Sequence, residues 1–248
     1  MEKNNKIEIK HVININPIIT GIRPLDHVLG GGLHRGELTV VAGRPGMGKS
    51  AFMMELMLNA CRQEGIKATA FSLEMSRDRY KKRLVELDDK ASEMLDQKKI
   101  TIDDTIAITI DEIERKCREK KTMNGISLVI IDYFYLIGRA QEFDMACIGL
   151  LPRLKRLAKE IGVAIVLDIE LMKTCEYREN PHPKLQDIRW ESFLRHTDYI
   201  LMLHRDSYYD SEIKDKDKLE IVISELPYTD FFTRTIDVCW PFPKGYFD

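Results

Sequence analysis

The strongest chemical signal in the sequence is a glycine-rich run that begins at Gly43 and ends at Ser50. It matches the pattern G-x-x-x-x-G-K-[ST], with a short β-rich run before it and helical spacing after it. Glycines let successive backbone N–H groups approach phosphate oxygens, and a helix N-terminus adds partial positive charge. An accidental glycine-rich turn is the alternative, and the strand and helix on either side argue against it. The pattern predicts a nucleotide-binding loop made of Gly43, Arg44, Pro45, Gly46, Met47, Gly48, Lys49, Ser50 and Ala51.

Within that loop, two side chains carry the expected chemistry. Lys49 can reach the β- and γ-phosphates of a nucleotide, and the Ser50 hydroxyl can ligate Mg²⁺. A carboxylate is needed beside Ser50 to complete such a metal site. Asp132 ends the apolar run 128–131 and is the candidate, although an acid at a strand end is common without a metal. We therefore expect ATP and Mg²⁺ as ligands, with Lys49 as a catalytic and phosphate-binding residue.

Hydrolysis also requires a base that positions water. Glu74 follows directly on the β-rich run 67–73, and a parallel neighbouring strand that ends there would aim its carboxylate at the γ-phosphate. The alternative is a surface acid at the start of a helix, with Ser76 as the N-cap. From residue chemistry alone, the two interpretations of Glu74 are equally good.

Composition limits the kinds of protein that this chain can be. Its 248 residues suit one domain, and 44% hydrophobic with 31% charged residues is globular usage. A net charge of −2 excludes a generally basic coat for nucleic acid. An odd, scattered set of cysteines argues against a disulfide framework and a zinc–cysteine site, and fits a reducing cytoplasm: Cys61, Cys117, Cys147, Cys175 and Cys239. We also expect no membrane span.

Strand-like and helix-like segments alternate along most of the chain. This pattern predicts an α/β fold with a mostly parallel sheet flanked by helices and with antiparallel strands at the C-terminal edge. Residues 1–19 are interpreted as an extended N-terminal arm, and 20–248 as the ATPase domain. The expected strands are 37–42, 67–73, 99–102, 126–131, 163–167, 199–203, 219–224 and 233–238, and the expected helices are 50–62, 77–95, 111–121 and 150–160.

Several motifs together resemble one family. They are residues 20–26 (TGIRPLD), 30–33 (GGGL), 36–38 (GEL), the loop 42–50, 71–75 (FSLEM) and 129–133 (VIIDY), with thinner matches at 154–160, 187–189 and 204–209. The set resembles the C-terminal motor domain of DnaB-type replicative DNA helicases, within the RecA-like P-loop ATPases. The resemblance covers about residues 20–238 and is most specific up to Tyr133.

The resemblance implies roles that the residues alone leave open. It makes Glu74 the catalytic base, Asp132 the Walker B acid, and Lys49 and Ser50 the phosphate and Mg²⁺ contacts. It also implies a homo-oligomeric ring, normally a hexamer, with ATP between subunits and single-stranded DNA in the pore. ATP hydrolysis would then drive movement along DNA, beside other replication proteins. No primase-contacting domain fits into residues 1–19.

The chain departs from the family pattern inside and between subunits. Glu170 or Ile169 stands where the family has a glutamine that senses the γ-phosphate, and Tyr135 replaces another glutamine. Glu225 and Pro227 stand where a Lys-x-Arg pair would reach the neighbour's γ-phosphate. Such a positive charge can be worth a thousandfold or more in rate.

A charged residue further along, Arg234, is the candidate substitute for that pair. The departures leave a second function open, namely an ATP-binding assembly or regulatory module that hydrolyses poorly and loads or caps a true helicase. A recombinase-like filament former or circadian-type relative is a third hypothesis, which the Ser-Leu-Glu-Met and Asp-Tyr contexts disfavour.

The segment 172–186 falls where the family has its DNA-binding loops. Four of its side chains are candidate DNA contacts, by phosphate pairing or by stacking on a base: Lys173, Tyr177, Arg178 and Lys184. Glu176 and Glu179 nearly cancel the positive charge, so an ordinary solvated loop is the alternative. DNA binding therefore depends mainly on the resemblance.

Overall fold

A computed structural model describes residues 16–139, 143–189, 195–210, 212–225 and 233–239, with the side chains of 139 and 143–148 set aside. Most of the expected N-terminal arm (1–15) and Pro227 lie outside the described residues. Among the described residues, no helix is long and apolar enough to cross a membrane.

Eight strands form one sheet in the order β3-β2-β4-β5-β1-β6-β7-β8. Strands β1 to β6 pair in parallel, whereas β7 and β8 are antiparallel at the C-terminal edge. The sequence-based expectation for the sheet is therefore confirmed. The strands are β1 Leu38–Gly43, β2 Ala68–Ser72, β3 Ile100–Asp103, β4 Leu128–Asp132, β5 Ala164–Glu170, β6 Tyr199–His204, β7 Lys218–Glu225 and β8 Thr233–Cys239.

Helices cover both faces of this sheet. The α-helices are α1 Arg23–Val28, α2 Lys49–Arg62, α3 Arg77–Leu87, α4 Ala91–Asp96, α5 Ile110–Asn124, α6 Phe143–Ile161 and α7 Asp206–Tyr209, and 3₁₀ turns span Phe134–Arg139, Lys173–Tyr177 and Leu185–Asp187.

The single helix expected over 77–95 is wrong, because two helices occupy that segment. Asp88 between them has an extended backbone (φ −149°, ψ 120°). Its carboxylate pairs with Arg62 at 2.7 Å and accepts the backbone N–H of Lys90 at 2.9 Å. A short acidic side chain that binds nearby backbone favours a turn over a continued helix.

The central strands are buried on both faces, so successive residues of one strand belong to different halves of the core. In β4, Ile130 packs with Phe52 and Met57 of α2, whereas Ile131 packs in the half that contains Leu154 and Leu157 of α6. A continuous apolar run is what a parallel strand between two helical layers requires. Since parallel strands share a direction, the ends of β1, β2, β4 and β5 that precede loops meet at one edge of the sheet.

The segment just before α1 is tied to the domain by backbone pairing. Ile18 is fully buried and exchanges two hydrogen bonds of 2.8 Å with Leu33. Gly32 allows this approach: its φ is +131°, and an added Cβ would lie 2.3 Å from the carbonyl oxygen of Ile18.

We predict that Gly32→Ala lowers the free energy of unfolding by at least about 3 kcal/mol, because left-handed strain and a backbone clash combine. Gly65→Ala is the matched control, since Gly65 has φ +74° with open space around its Cβ position. It should cost only about 1–2 kcal/mol from backbone strain. Urea unfolding of both variants measures the difference, and equal costs would contradict the docking of residue 18 against residue 32.

Candidate nucleotide-binding site

The glycine-rich loop connects β1 to α2, as the sequence predicts. Gly46 and Gly48 have φ of +80° and +89°, which glycine adopts without strain, and Gly48 is the N-cap of α2. The ammonium of Lys49 donates to the carbonyl oxygen of Gly43 at 3.2 Å. The loop borders a cleft of about 540 Å³ that is also lined by Glu74, Arg83 and Asp168.

At the floor of the cleft, Ser50 and Asp132 meet. The Ser50 hydroxyl donates to Oδ1 of Asp132 at 3.2 Å, whereas the buried Oδ2 has no hydrogen-bond partner among the described residues. Burial raises the pKa of Asp132 to about 6, and the nearby charge of Glu74 acts in the same direction. A buried acceptor oxygen without a donor, next to a hydroxyl, is a ligand set that suits a hard divalent cation.

A second buried acid, Asp168, lies on the neighbouring strand β5. Its side chain is buried, and its Oδ1 has no hydrogen-bond partner among the described residues. Burial raises its pKa well above the ordinary value, and the charge of Asp132 raises it further, while Lys49 opposes both effects. Sequence reasoning used Asp168 only as a marker of alignment, although an acid inside the apolar run 163–169 is the signal of a buried functional carboxylate.

The position of Glu74 agrees with the expectation that it faces the cleft. It follows β2, whose Ser72 is in register with Asp132 of β4. Its side chain is exposed and lines the cleft beside Lys49. The hydroxyl of Ser76, and not Glu74, caps helix α3 by accepting the N–H of Arg79 at 3.4 Å. Glu74 is thus free of the capping role that the alternative interpretation gave it.

Arg44 of the loop makes a contact that the sequence did not indicate. Its buried guanidinium donates to Glu170 at 2.5 Å, to Glu176 at 2.8 Å and to the carbonyl oxygen of Leu171 at 2.8 Å. The phenol of Tyr133 also donates to Glu170 at 3.3 Å. Since Ile169 is buried in the core and Glu170 lines the cleft, Glu170 is the residue at the position where the family has its glutamine.

The residues at the expected position of the Lys-x-Arg pair lie at the other edge of the sheet. Glu225 ends β7 opposite Tyr199, the first residue of β6, and Arg234 of β8 is opposite Ile223. Because β6 runs parallel to β1, that end of the sheet is the one remote from the glycine-rich loop. Both side chains are exposed. Neither Glu225 nor Arg234 therefore belongs to this chain's own cleft.

The four candidate DNA contacts fall into two groups. Lys173, Tyr177 and Lys184 are exposed, and Tyr177 keeps 74% of its surface accessible. Arg178 instead donates to both carboxylate oxygens of Asp187, at 2.7 and 2.8 Å, and to the carbonyl oxygen of His182 at 2.7 Å. Arg178 thus closes the segment on itself.

Comparisons with known proteins agree with this architecture. The model of the family described as "DnaB-like helicase C terminal domain" matches residues 17–92 and 85–226. The replicative DNA helicase DnaC of Bacillus subtilis is 30% identical over 238 residues, which cover 86% of this chain and 52% of that protein. The replicative DNA helicase DnaB of Rickettsia felis is 31% identical over 246 residues, covering 84% and 47%. The chain thus spans about half the length of these relatives.

Two solved structures share the fold. One, described as an ATPase domain, superposes with a TM-score of 0.81 at 25% identity, covering 92% of this chain and 89% of that one. The other, a DnaB-like replicative helicase solved in a study of its interactions with primase, gives a TM-score of 0.77 at 25% identity over 90% of this chain and 59% of that one.

The sheet order, the glycine-rich loop and the cleft define a RecA-like P-loop domain that binds a nucleotide. Within that class, the chain belongs to the family of the DnaB-like helicase C-terminal domain. The resemblance stated from the motifs is therefore confirmed.

We predict that Asp132→Asn stabilises the chain by about 1–3 kcal/mol at pH 7.5 in buffer without nucleotide or divalent cation. The folded pKa of Asp132 lies above its ordinary value, so the wild type loses stability as the pH rises from near 4 through 6. The gain in the variant should therefore be smaller at pH 5.

Urea unfolding at both pH values measures this effect. Asp89→Asn removes an exposed acid in the turn between α3 and α4 and should change stability by less than about 0.5 kcal/mol at either pH. A variant that is less stable than the wild type at pH 7.5 would contradict a buried, ionised Asp132.

Proposed function

We propose that this chain is an ATP-hydrolysing motor domain that couples hydrolysis to movement on single-stranded DNA within a homo-oligomeric, hexameric ring. The observation that carries the proposal is that Lys49, Ser50, Asp132 and Glu74, which lie up to 83 positions apart in the sequence, border one cleft. We further propose that 1–19 form an arm and 20–248 the ATPase domain, and that the chain works in the cytoplasm.

ATP would bind with its phosphates in the loop 43–51. Backbone N–H groups of the loop and the N-terminus of α2 face the phosphates, and Lys49 contacts the β- and γ-phosphates. Its present bond to the Gly43 carbonyl holds the ammonium at the loop, so binding exchanges one acceptor for another.

Ser50 and Asp132 are the residues that would hold Mg²⁺. The unpartnered Oδ2 of Asp132 supports this assignment, because it is an oxygen ligand already stripped of water. Bound Mg²⁺ supplies a positive charge that neutralises the transferring phosphoryl group. Asp168, one strand away, would accept a hydrogen bond from a water of the metal.

Glu74 would act as the base that orients the attacking water. Its carboxylate is exposed and on the open side of the cleft, where solvent enters. Asp132 and Asp168 are too buried for that task, since their surroundings disfavour the charged form. A general base of this kind contributes about 10²–10⁴-fold to a rate.

Assembly decides how fast the site can turn over. The family's cationic pair comes from a neighbour, and this chain has Glu225 at the corresponding strand end. Arg234 is the exposed cation of the adjoining strand and is the candidate to serve a neighbour's site. The acid at 225 favours, as the second candidate function, an ATP-binding module with weak hydrolysis that loads or caps a helicase.

The candidate partners follow from the family. Single-stranded DNA would run past Lys173, Tyr177 and Lys184, with Arg178 bracing the segment through Asp187. Since a related helicase was solved in a study of its interactions with primase, we also propose contacts with other replication proteins.

We predict that Lys49→Ala abolishes ATP binding and turnover, whereas Glu74→Gln keeps ATP binding and slows turnover at least about 100-fold. Steady-state ATPase assays with and without single-stranded DNA, beside equilibrium binding of ATP, separate the two effects. Glu64→Gln, an exposed acid just after α2, is the matched control and should leave both unchanged. Tight ATP binding by the wild type without DNA-stimulated turnover would reject the motor and support the assembly module.

For DNA, we predict that the double variant Lys173→Ala/Lys184→Ala lowers the slope of log affinity against log salt by about 1.4, or about 0.7 per phosphate contact on a single strand. Titrations of labelled oligonucleotide with a non-hydrolysable ATP analogue measure the slope. Lys81→Ala/Lys82→Ala removes the same charge from exposed positions on α3 and should leave the slope unchanged. Equal slopes for both double variants would remove the segment 172–186 from the DNA path.

A further inference from the structure

A cluster of histidines and acids lies outside the nucleotide cleft, at the C-terminal end of β6. His204 is the last residue of β6, Asp206 begins α7, His182 comes from the loop before the 3₁₀ turn Leu185–Asp187, and Glu220 is opposite His204 on β7. None of these residues has a part in nucleotide binding as proposed above.

The four side chains converge on one another. One potential ligand atom from each of His182, His204 and Asp206 lies within 4.8 Å of the other two. The two imidazole rings are 4.2 Å apart between centroids. His204 Nε2 is 2.8 Å from Asp206, and His182 Nε2 is 2.7 Å from Glu220, which Lys218 also contacts at 2.6 Å.

We propose that His182, His204 and Asp206 form a zinc site, with Glu220 orienting His182. Two imidazoles and one carboxylate are the ligands that Zn²⁺ takes, whereas Mg²⁺ and Ca²⁺ prefer oxygen alone. A carboxylate behind a ligating histidine fixes its ring and raises its basicity.

Burial and charge in the cluster suit a metal better than protons. The side chain of His204 is 2% exposed, and burial lowers its pKa, so this imidazole is held neutral with a lone pair available. Asp206 and Glu220 leave two negative charges beside two neutral rings, of which Lys218 offsets one. A divalent cation would replace the protons that the hydrogen bonds now share.

The geometry requires only a small contraction. Ligand atoms of a tetrahedral zinc ion with bonds near 2.05 Å are separated by about 3.4 Å. His204 is fixed in the core, whereas the side chains of His182 and Asp206 are 34% and 46% exposed and have room to move inward. The same exposed side gives the ion its route of entry, and water completes the fourth position.

The consequence of the site follows from where its ligands lie. His182 belongs to the segment that also contains Tyr177 and Lys184, while Asp206 precedes Tyr208 of α7. Tyr208 covers the glycine-rich loop, since a Cβ on Gly46 would lie 2.6 Å from its ring. Bound zinc would therefore fasten the segment 173–187 to the element that lies over the nucleotide loop.

The test is zinc binding by the purified, metal-stripped chain. We expect one Zn²⁺ per chain by competition with a chromophoric chelator and by elemental analysis. His182→Gln, which changes a partly exposed side chain, and Asp206→Asn should each weaken binding by at least about 100-fold, since even an outer partner is worth 10–100-fold. Circular dichroism and urea unfolding of the stripped variants show that they fold. His27→Gln, an exposed histidine of α1, is the matched control and should bind as the wild type does.

Cobalt substitution distinguishes this site from adventitious binding at the exposed Cys239 or at the acids of the cleft. Co²⁺ in the proposed site gives visible d–d bands without a thiolate charge-transfer band, and both bands and affinity are lost in His182→Gln. Hydrogen exchange of residues 173–187 should slow when Zn²⁺ binds the wild type. The proposal is overturned by a wild-type chain that takes up no zinc, by equal affinities of wild type and His182→Gln, or by a thiolate spectrum.

Discussion

The buried negative charge of Asp132 and Asp168 is the constraint on which the rest of the cleft depends. Both acids lie near the ends of neighbouring parallel strands, and burial raises the pKa of each. Each has an oxygen without a hydrogen-bond partner among the described residues. Such a site is costly without a cation, so the Lys49 ammonium and the Ser50 hydroxyl at the start of α2 are placed to offset that cost. The sheet holds the acids, and the glycine-rich loop brings the compensating groups to them.

A second electrostatic network lies at the mouth of the same cleft. Arg44 joins the glycine-rich loop to Glu170 and Glu176, so the loop, the end of β5 and the first turn after it move as one unit. Glu170 cannot donate a hydrogen bond to a γ-phosphate as a glutamine does, and Arg44 neutralises it. The chain thus combines a complete in-subunit set of groups with an altered sensing position, which is why both a motor and a slow ATP-binding module follow from one geometry.

Much of the fold was predictable because its signals are local. The apolar run 128–131 and the glycines at 46 and 48 identify a buried parallel strand and a phosphate loop without knowledge of their partners. The split of the expected helix 77–95 was not predictable by periodicity, because the Asp88 carboxylate is engaged by Arg62, which is 26 residues away in the sequence. Glu74 was correctly placed in the cleft, since the ends of parallel strands share one edge.

By itself, the sequence determined the phosphate loop, the acids after two strands and the family, because these depend on residue types at short, fixed spacing. Only the tertiary structure decided that Arg44 contacts Glu170, 126 residues away, that Ile169 is in the core while Glu170 faces the cleft, and that His182 meets His204. Those outcomes depend on strand order and register, which set the neighbours of a side chain. No local pattern encodes which distant carboxylate a guanidinium or an imidazole will contact.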